Sequence, residues 1–150
     1  MKKSVFLFVF ALFIGHNLQS QIFTKVTEGP LVGPNAENFG PAWGDYDSDG
    51  DMDLFVSVPF PSINNINRNN LLYQNNCNGQ FTQIIAIPGN LVSDGGFSTG
   101  SIWIDYNNDG NIDLFVGNAG GENNFLYKNN GDGTFAKITT GIIVTDSSDA

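Results

Sequence analysis

The 150 residues carry 15 acidic groups against 6 basic ones, a formal charge of −9, with one histidine and one cysteine. A chain this acidic and without a basic patch excludes a nucleic-acid partner, and a lone Cys77 excludes an intrachain disulfide. The length fits one ordinary domain.

At the start of the chain, Lys2 and Lys3 precede an apolar run from Val5 to Ile14, and a polar stretch then ends in small Ser20. That order is the grammar of a secretory signal peptide, so residues 1–20 are expected to be removed after Ser20 and the remainder exported, secreted or to the cell surface. The run is too short to cross a bilayer, and nothing later approaches the roughly 20 apolar residues a span needs. His16, Lys2 and Lys3 leave with the signal, so residues 21–150 hold no histidine. The segment FTKVT at 23–27 resembles the last strand of the units described next, without the strands that should precede it.

Residues 43–58, WGDYDSDGDMDLFVSV, return 60 positions later as WIDYNNDGNIDLFVGN at 103–118. NLLYQNN at 70–76 returns as NFLYKNN at 124–130, and GQFTQI at 79–84 returns as GTFAKI at 133–138, both 54 positions on. Each unit reads as four short strands, rich in Val, Ile, Phe, Tyr and Thr and punctuated by Gly, Asn and Asp. One strand enters the acidic loop at Trp43 or Trp103, one leaves it, and two more centre on Tyr73 and Phe81 or on Tyr127 and Phe135. Asn78-Gly79 and Asp132-Gly133 are tight-turn signals between the third and fourth strands. No helical periodicity follows residue 20.

Four-stranded units at this spacing predict an all-β fold of β-propeller-type blades. Repeat 1 covers about 31–87 and repeat 2 about 91–140, with the start of a third over about 141–150, where IVTD at 143–146 resembles LVSD at 91–94. Two units are too few to close a ring, which typically takes four or more blades, so the rest of a longer propeller chain is expected. Leu54, Phe55, Leu114 and Phe115 are predicted core, and Trp43 and Trp103 are predicted to lie between blades. Cys77, in the turn Asn76-Cys77-Asn78-Gly79, is read as an ordinary turn residue.

The two loops share the pattern D-x-[DN]-x-D-G-x-x-D and hold eight of the fifteen acids. Hard oxygens at alternate positions, Asp45, Asp47, Asp49 and Asp53 in one loop and Asp105, Asn107, Asp109 and Asp113 in the other, can curl around one cation. Gly50 and Gly110 supply the sharp turn that a Cβ would resist. Asp51 and Asn111 would add a backbone carbonyl, as the seventh position of an EF-hand loop does. An all-oxygen set suits Ca²⁺ and lacks the nitrogen and sulfur ligands of zinc or copper. An EF-hand itself fits poorly. Its bidentate Glu would fall at Val56 and Val116, and the flanks read as strand.

These residues carry a resemblance to the FG-GAP/VCBS repeat family, the calcium-loop blades also found in integrin α-subunit propellers. WGDYDSDGDMDLFV with NNLLYQNN, and SIWIDYNNDGNIDLFV with NNFLYKNNGDGTF, carry it over about residues 23–146. The resemblance implies Ca²⁺ held by Asp45, Asp47, Asp49, Asp53 and the Asp51 carbonyl, and by Asp105, Asn107, Asp109, Asp113 and the Asn111 carbonyl. A recognition, adhesion or scaffold role is expected, with a protein or carbohydrate ligand at a cell surface; the resemblance carries fold and metal but does not name the partner. No enzyme is expected: histidine is lost with the signal, and the carboxylates outside the loops form no acid–base constellation. The alternative is the non-catalytic propeller part of a larger secreted carbohydrate-active enzyme. A dockerin-like module, whose units are shorter and lead into helices, fits less well.

Overall fold

The computed structural model describes residues 24–32, 39–61 and 68–147. The expected signal segment, residues 1–20, and part of the approach to the first unit lie outside these residues.

Eight strands form two sheets of four: β1 Phe39–Gly44, β2 Asp53–Ser57, β3 Leu71–Asn75 and β4 Phe81–Ile84, then β5 Ser98–Ile104, β6 Asp113–Asn118, β7 Phe125–Asn129 and β8 Phe135–Ile138. Each sheet is a simple antiparallel meander in chain order, the arrangement of a propeller blade. The registers repeat too: Trp43 pairs with Leu54 and Leu54 with Tyr73, as Trp103 pairs with Leu114 and Leu114 with Tyr127. The fold class is therefore as expected, with two blades stacked face to face and no closed ring among the described residues.

The core lies between the blades. Phe55, Leu72 and Tyr46 of the first blade meet Leu114, Val116, Tyr127 and Phe135 of the second, with Leu91 and Val92 of the connecting segment beside them. Burying side chains of this size contributes roughly 1.5–3 kcal/mol each. In β2 every residue is buried, which is why Leu54–Val58 reads as a continuous apolar run instead of an alternating one. Successive residues still face opposite ways: Phe55 enters the inter-blade core, whereas Leu54 and Val56 cluster with Tyr73 on the other face.

At one end the two backbones nearly touch. Gly40, at φ +53°, is the residue skipped at a register shift in β1, and Gly100 directly follows the residue skipped in β5, Thr99. A Cβ on Gly40 would come 2.6 Å from the Gly100 Cα, so glycine is what allows the sheets to meet here. The seam is tied by Ser101 Oγ donating to the Gly40 carbonyl at 2.8 Å and by Asn129 Nδ2 donating to the Tyr46 carbonyl at 2.8 Å.

Four sequence expectations need correction. Trp43 is not between blades; it is 51% exposed. It occupies the position of Trp103 but on the face of blade 1 that meets no other blade among the described residues. Phe115, the counterpart of Phe55, is only half-buried because it points to the open face of blade 2. Residues 24–27 form no strand and are exposed, and no strand among the described residues pairs with them. A single helical turn, α1 Ile142–Thr145, opens the third-unit segment where no helix was expected. Its Val144 is buried, while Ile142 and Ile143 are exposed; one turn is too short to show a helical period.

The turns divide likewise. Asn78 (φ 56°) and Gly79 (φ 72°) form the expected tight turn of the primed type, closed by Gln80 N–H on the Cys77 carbonyl. In the second blade Gly131 and Gly133 take positive φ while Asp132 does not, and the Asp132 carboxylate instead accepts from the Thr134 N–H. The same loop length is reached by an aspartate-stabilised turn.

Candidate metal centre

Both acidic loops connect the first two strands of their blade and take the same backbone path. Ser48 and Gly50 lie at φ 61° and 95°, and Asn108 and Gly110 at φ 60° and 90°. The first aspartate organises each loop. Asp45 accepts the N–H groups of Asp49 (3.0 Å) and Gly50 (3.1 Å), and Asp105 accepts those of Asp109 (3.1 Å) and Gly110 (3.0 Å). The third ligand position then caps the turn: Asp49 Oδ1 accepts the Asp51 N–H and Asp109 Oδ1 the Asn111 N–H.

In the first loop this curl brings one oxygen each of Asp45, Asp47 and Asp49 within 4.8 Å of one another. Asp47 Oδ2 accepts from Gln74 Nε2 at 2.6 Å, but Asp47 Oδ1 is buried with no hydrogen-bond partner among the described residues. A buried carboxylate oxygen without a donor is costly, and a cation coordinated there would satisfy it. The donor set, all carboxylate and carbonyl oxygen, fits a hard divalent ion such as Ca²⁺.

Asp51 turns its side chain away from this group, where Asp51 Oδ2 accepts the Cys77 thiol at 2.6 Å. That contact pushes the Cys77 thiol pKa up and gives Cys77 a second role beyond the turn.

Asp53 and Asp113 sit below their loops at the first residue of β2 and β6, and both are fully buried. Their carboxylates brace the blade: Asp53 accepts the N–H groups of Tyr46 (3.2 Å) and Asn75 (2.8 Å), and Asp113 those of Tyr106 (3.2 Å) and Asn129 (2.8 Å). Burial pushes the Asp53 pKa up to about 6 against the lowering by the two N–H groups, with the charges of Asp47 and Asp49 adding to the rise. Asp113 is raised for the same leading reason. Buried Tyr46, close to the same carboxylates, is pushed up to about 12.

In the second loop the amide of Asn107 replaces Asp47. Asn107 Oδ1 accepts the Asp109 N–H at 2.8 Å, which leaves Nδ2 buried and unpartnered. Lys128 reaches Asp109 Oδ2 at 3.3 Å. The Asp109 carboxyl is held low, chiefly by the Asn111 N–H and in part by Lys128. Asn111 Nδ2 donates to Asp109 as well.

Sequence reasoning did not connect Gln74, Lys128, Asn75 or Asn129 to the loops. The signal was present in the repeated YQNN and YKNN at 73–76 and 127–130, but only the strand pairing shows that these residues back onto the acidic turns.

Antiparallel four-stranded blades with an acidic turn between strands one and two define a propeller-repeat module. Residues 105–150 match the family model of the FG-GAP-like repeat. The resemblance read from the motifs is thus borne out over residues 105–150. No curated protein matches the chain.

Proposed function

We propose that the chain is a calcium-stabilised segment of an exported propeller, serving as a recognition, adhesion or scaffold module without catalysis of its own. The observation that carries the calcium reading is the Asp45–Asp47–Asp49 group with its unpartnered buried oxygen. In this reading the ion is structural. It cancels the repulsion of carboxylates crowded into one turn and so locks the β1–β2 connection.

The open faces support membership of a longer stack. Tyr46 of blade 1 stacks on Trp103 of blade 2 at 6.0 Å and 16°. The equivalent residue of blade 2, Tyr106, is exposed, as are Ile102 and Ile104 beside it. Trp43 presents the complementary position on the other side. A further blade would cover each face as blade 2 covers blade 1.

Calcium titration by calorimetry on the 150-residue chain tests the metal reading, with Asp49→Ala as the control. Saturable binding that Asp49→Ala weakens at least tenfold is expected; heats of dilution alone would overturn it. Export is tested separately, by N-terminal sequencing of protein recovered outside the cytoplasm, with Gln21 expected as the first residue. Protein or carbohydrate arrays probed with the calcium-loaded chain address the ligand class.

A further inference from the structure

Gln74 and Lys128 occupy the same place, next to last in β3 and β7, and each reaches the acidic loop of its own blade. Gln74 offers a neutral donor to Asp47, whereas Lys128 offers an ammonium to Asp109. Among the described residues no salt bridge reaches the first loop. Five aspartates (45, 47, 49, 51 and 53) therefore share the first loop with no cation in contact. In the second, three aspartates (105, 109 and 113) share theirs with one. The unmet buried atoms point the same way: an acceptor, Asp47 Oδ1, in the first loop, and a donor, Asn107 Nδ2, in the second. An acceptor oxygen can ligate a cation. An amide N–H cannot.

We propose that Lys128 is the resident counter-ion of the second loop and sets the ranking of the two sites, a reading that rests on calcium binding as proposed above. The ammonium supplies part of the positive charge that the Asp105 loop needs. That loop thereby holds its shape without metal and binds Ca²⁺ weakly, since the ion must enter against Lys128. The first loop has no such substitute and carries the metal dependence of the chain. The exchange is local, because Lys128 rises from a paired strand and reaches Asp109 with only its flexible stem.

The test is a reciprocal exchange in the 150-residue chain, read by calcium calorimetry at two ionic strengths. In an Asp49→Ala background, which isolates the second loop, Lys128→Gln is expected to tighten binding about fivefold, the size of one favourable charge interaction near a protein surface. Lys128→Arg should leave it weak. In an Asp109→Ala background, Gln74→Lys should weaken the first loop by a similar factor. Lys128→Gln should also steepen the loss of second-loop affinity with added salt, because more of the attraction is then unscreened. Each exchange installs a residue the other blade already tolerates, and circular dichroism checks that the sheets survive. If the first loop binds and Lys128→Gln leaves second-loop affinity unchanged, Lys128 is a surface ion pair and the proposal fails alone. If neither loop binds calcium, both it and the calcium reading fall.

Discussion

The two blades have the same strands, registers and loop path, yet equivalent side chains have opposite fates. Trp103 lies between sheets against Tyr46, Phe55 and Phe135, whereas Trp43 meets one aromatic ring among the described residues, Phe81, edge-on at 6.1 Å, and faces outward. Tyr46 is buried and Tyr106 exposed; Phe55 is buried and Phe115 half-buried. What decides each case is which side of its own sheet a residue faces and whether a blade stands there. A blade's sequence specifies its sheet, and burial of its faces is a property of the stack.

The largest expected effect comes from breaking that asymmetry. Trp103→Ala should cost about 3 kcal/mol, as for an aromatic deleted from a packed core, while Trp43→Ala should cost well under about 1 kcal/mol. Urea unfolding of the two variants measures the difference, and equal losses would mean that Trp43 is covered in solution.

Metal removal comes next. With millimolar calcium at about 100 times the dissociation constant, the bound ion adds about 2.7 kcal/mol. Chelation should therefore lower the melting temperature by several degrees, with Ca²⁺ restoring it better than Mg²⁺, which demands stricter octahedral geometry. Superimposable melts in chelator and in calcium would remove the structural role assigned to the ion.

Acidity should separate the metal-free and loaded states. In the metal-free protein Asp53 keeps its proton to about pH 6, against a usual value of 3.8. Between those values the folded chain holds more protons than the unfolded one, so stability falls as pH rises through the window, by about 2 kcal/mol. Calcium should reverse the trend, because protons then compete with the ion. Melts across this range with chelator and with calcium check the sign; parallel curves would show that Asp53 is not coupled to the metal. Asp53→Asn should flatten the chelator curve.

The smallest expected effect sharpens the comparison of the loops themselves. The Asp45 loop should bind Ca²⁺ about fivefold more tightly than the Asp105 loop, roughly 1 kcal/mol. Calorimetry on Asp109→Ala and Asp49→Ala, each keeping one loop, ranks them. Equal affinities would mean that rigidity outweighs charge count here.

The sequence by itself determined the blade: the 60- and 54-residue recurrences, the four strands, the Asn78-Gly79 turn and the aspartates at alternate positions are all local features. A loop ligand set is legible because its spacing along the chain is also its spacing around a turn. Tertiary structure alone decided three things. It placed Gln74 and Lys128 against loops more than 15 residues away in sequence, since strand pairing has no signature at either residue. It turned Asp51 outward to Cys77 and set Asp53 to bracing two backbone N–H groups, a division of labour among aspartates that are identical in sequence. And it packed Trp103, half-buried, between the sheets while leaving Trp43 open, because the hydrophobic effect acts on whatever surface a neighbour covers, and a residue's own sequence context does not say whether the neighbour is there.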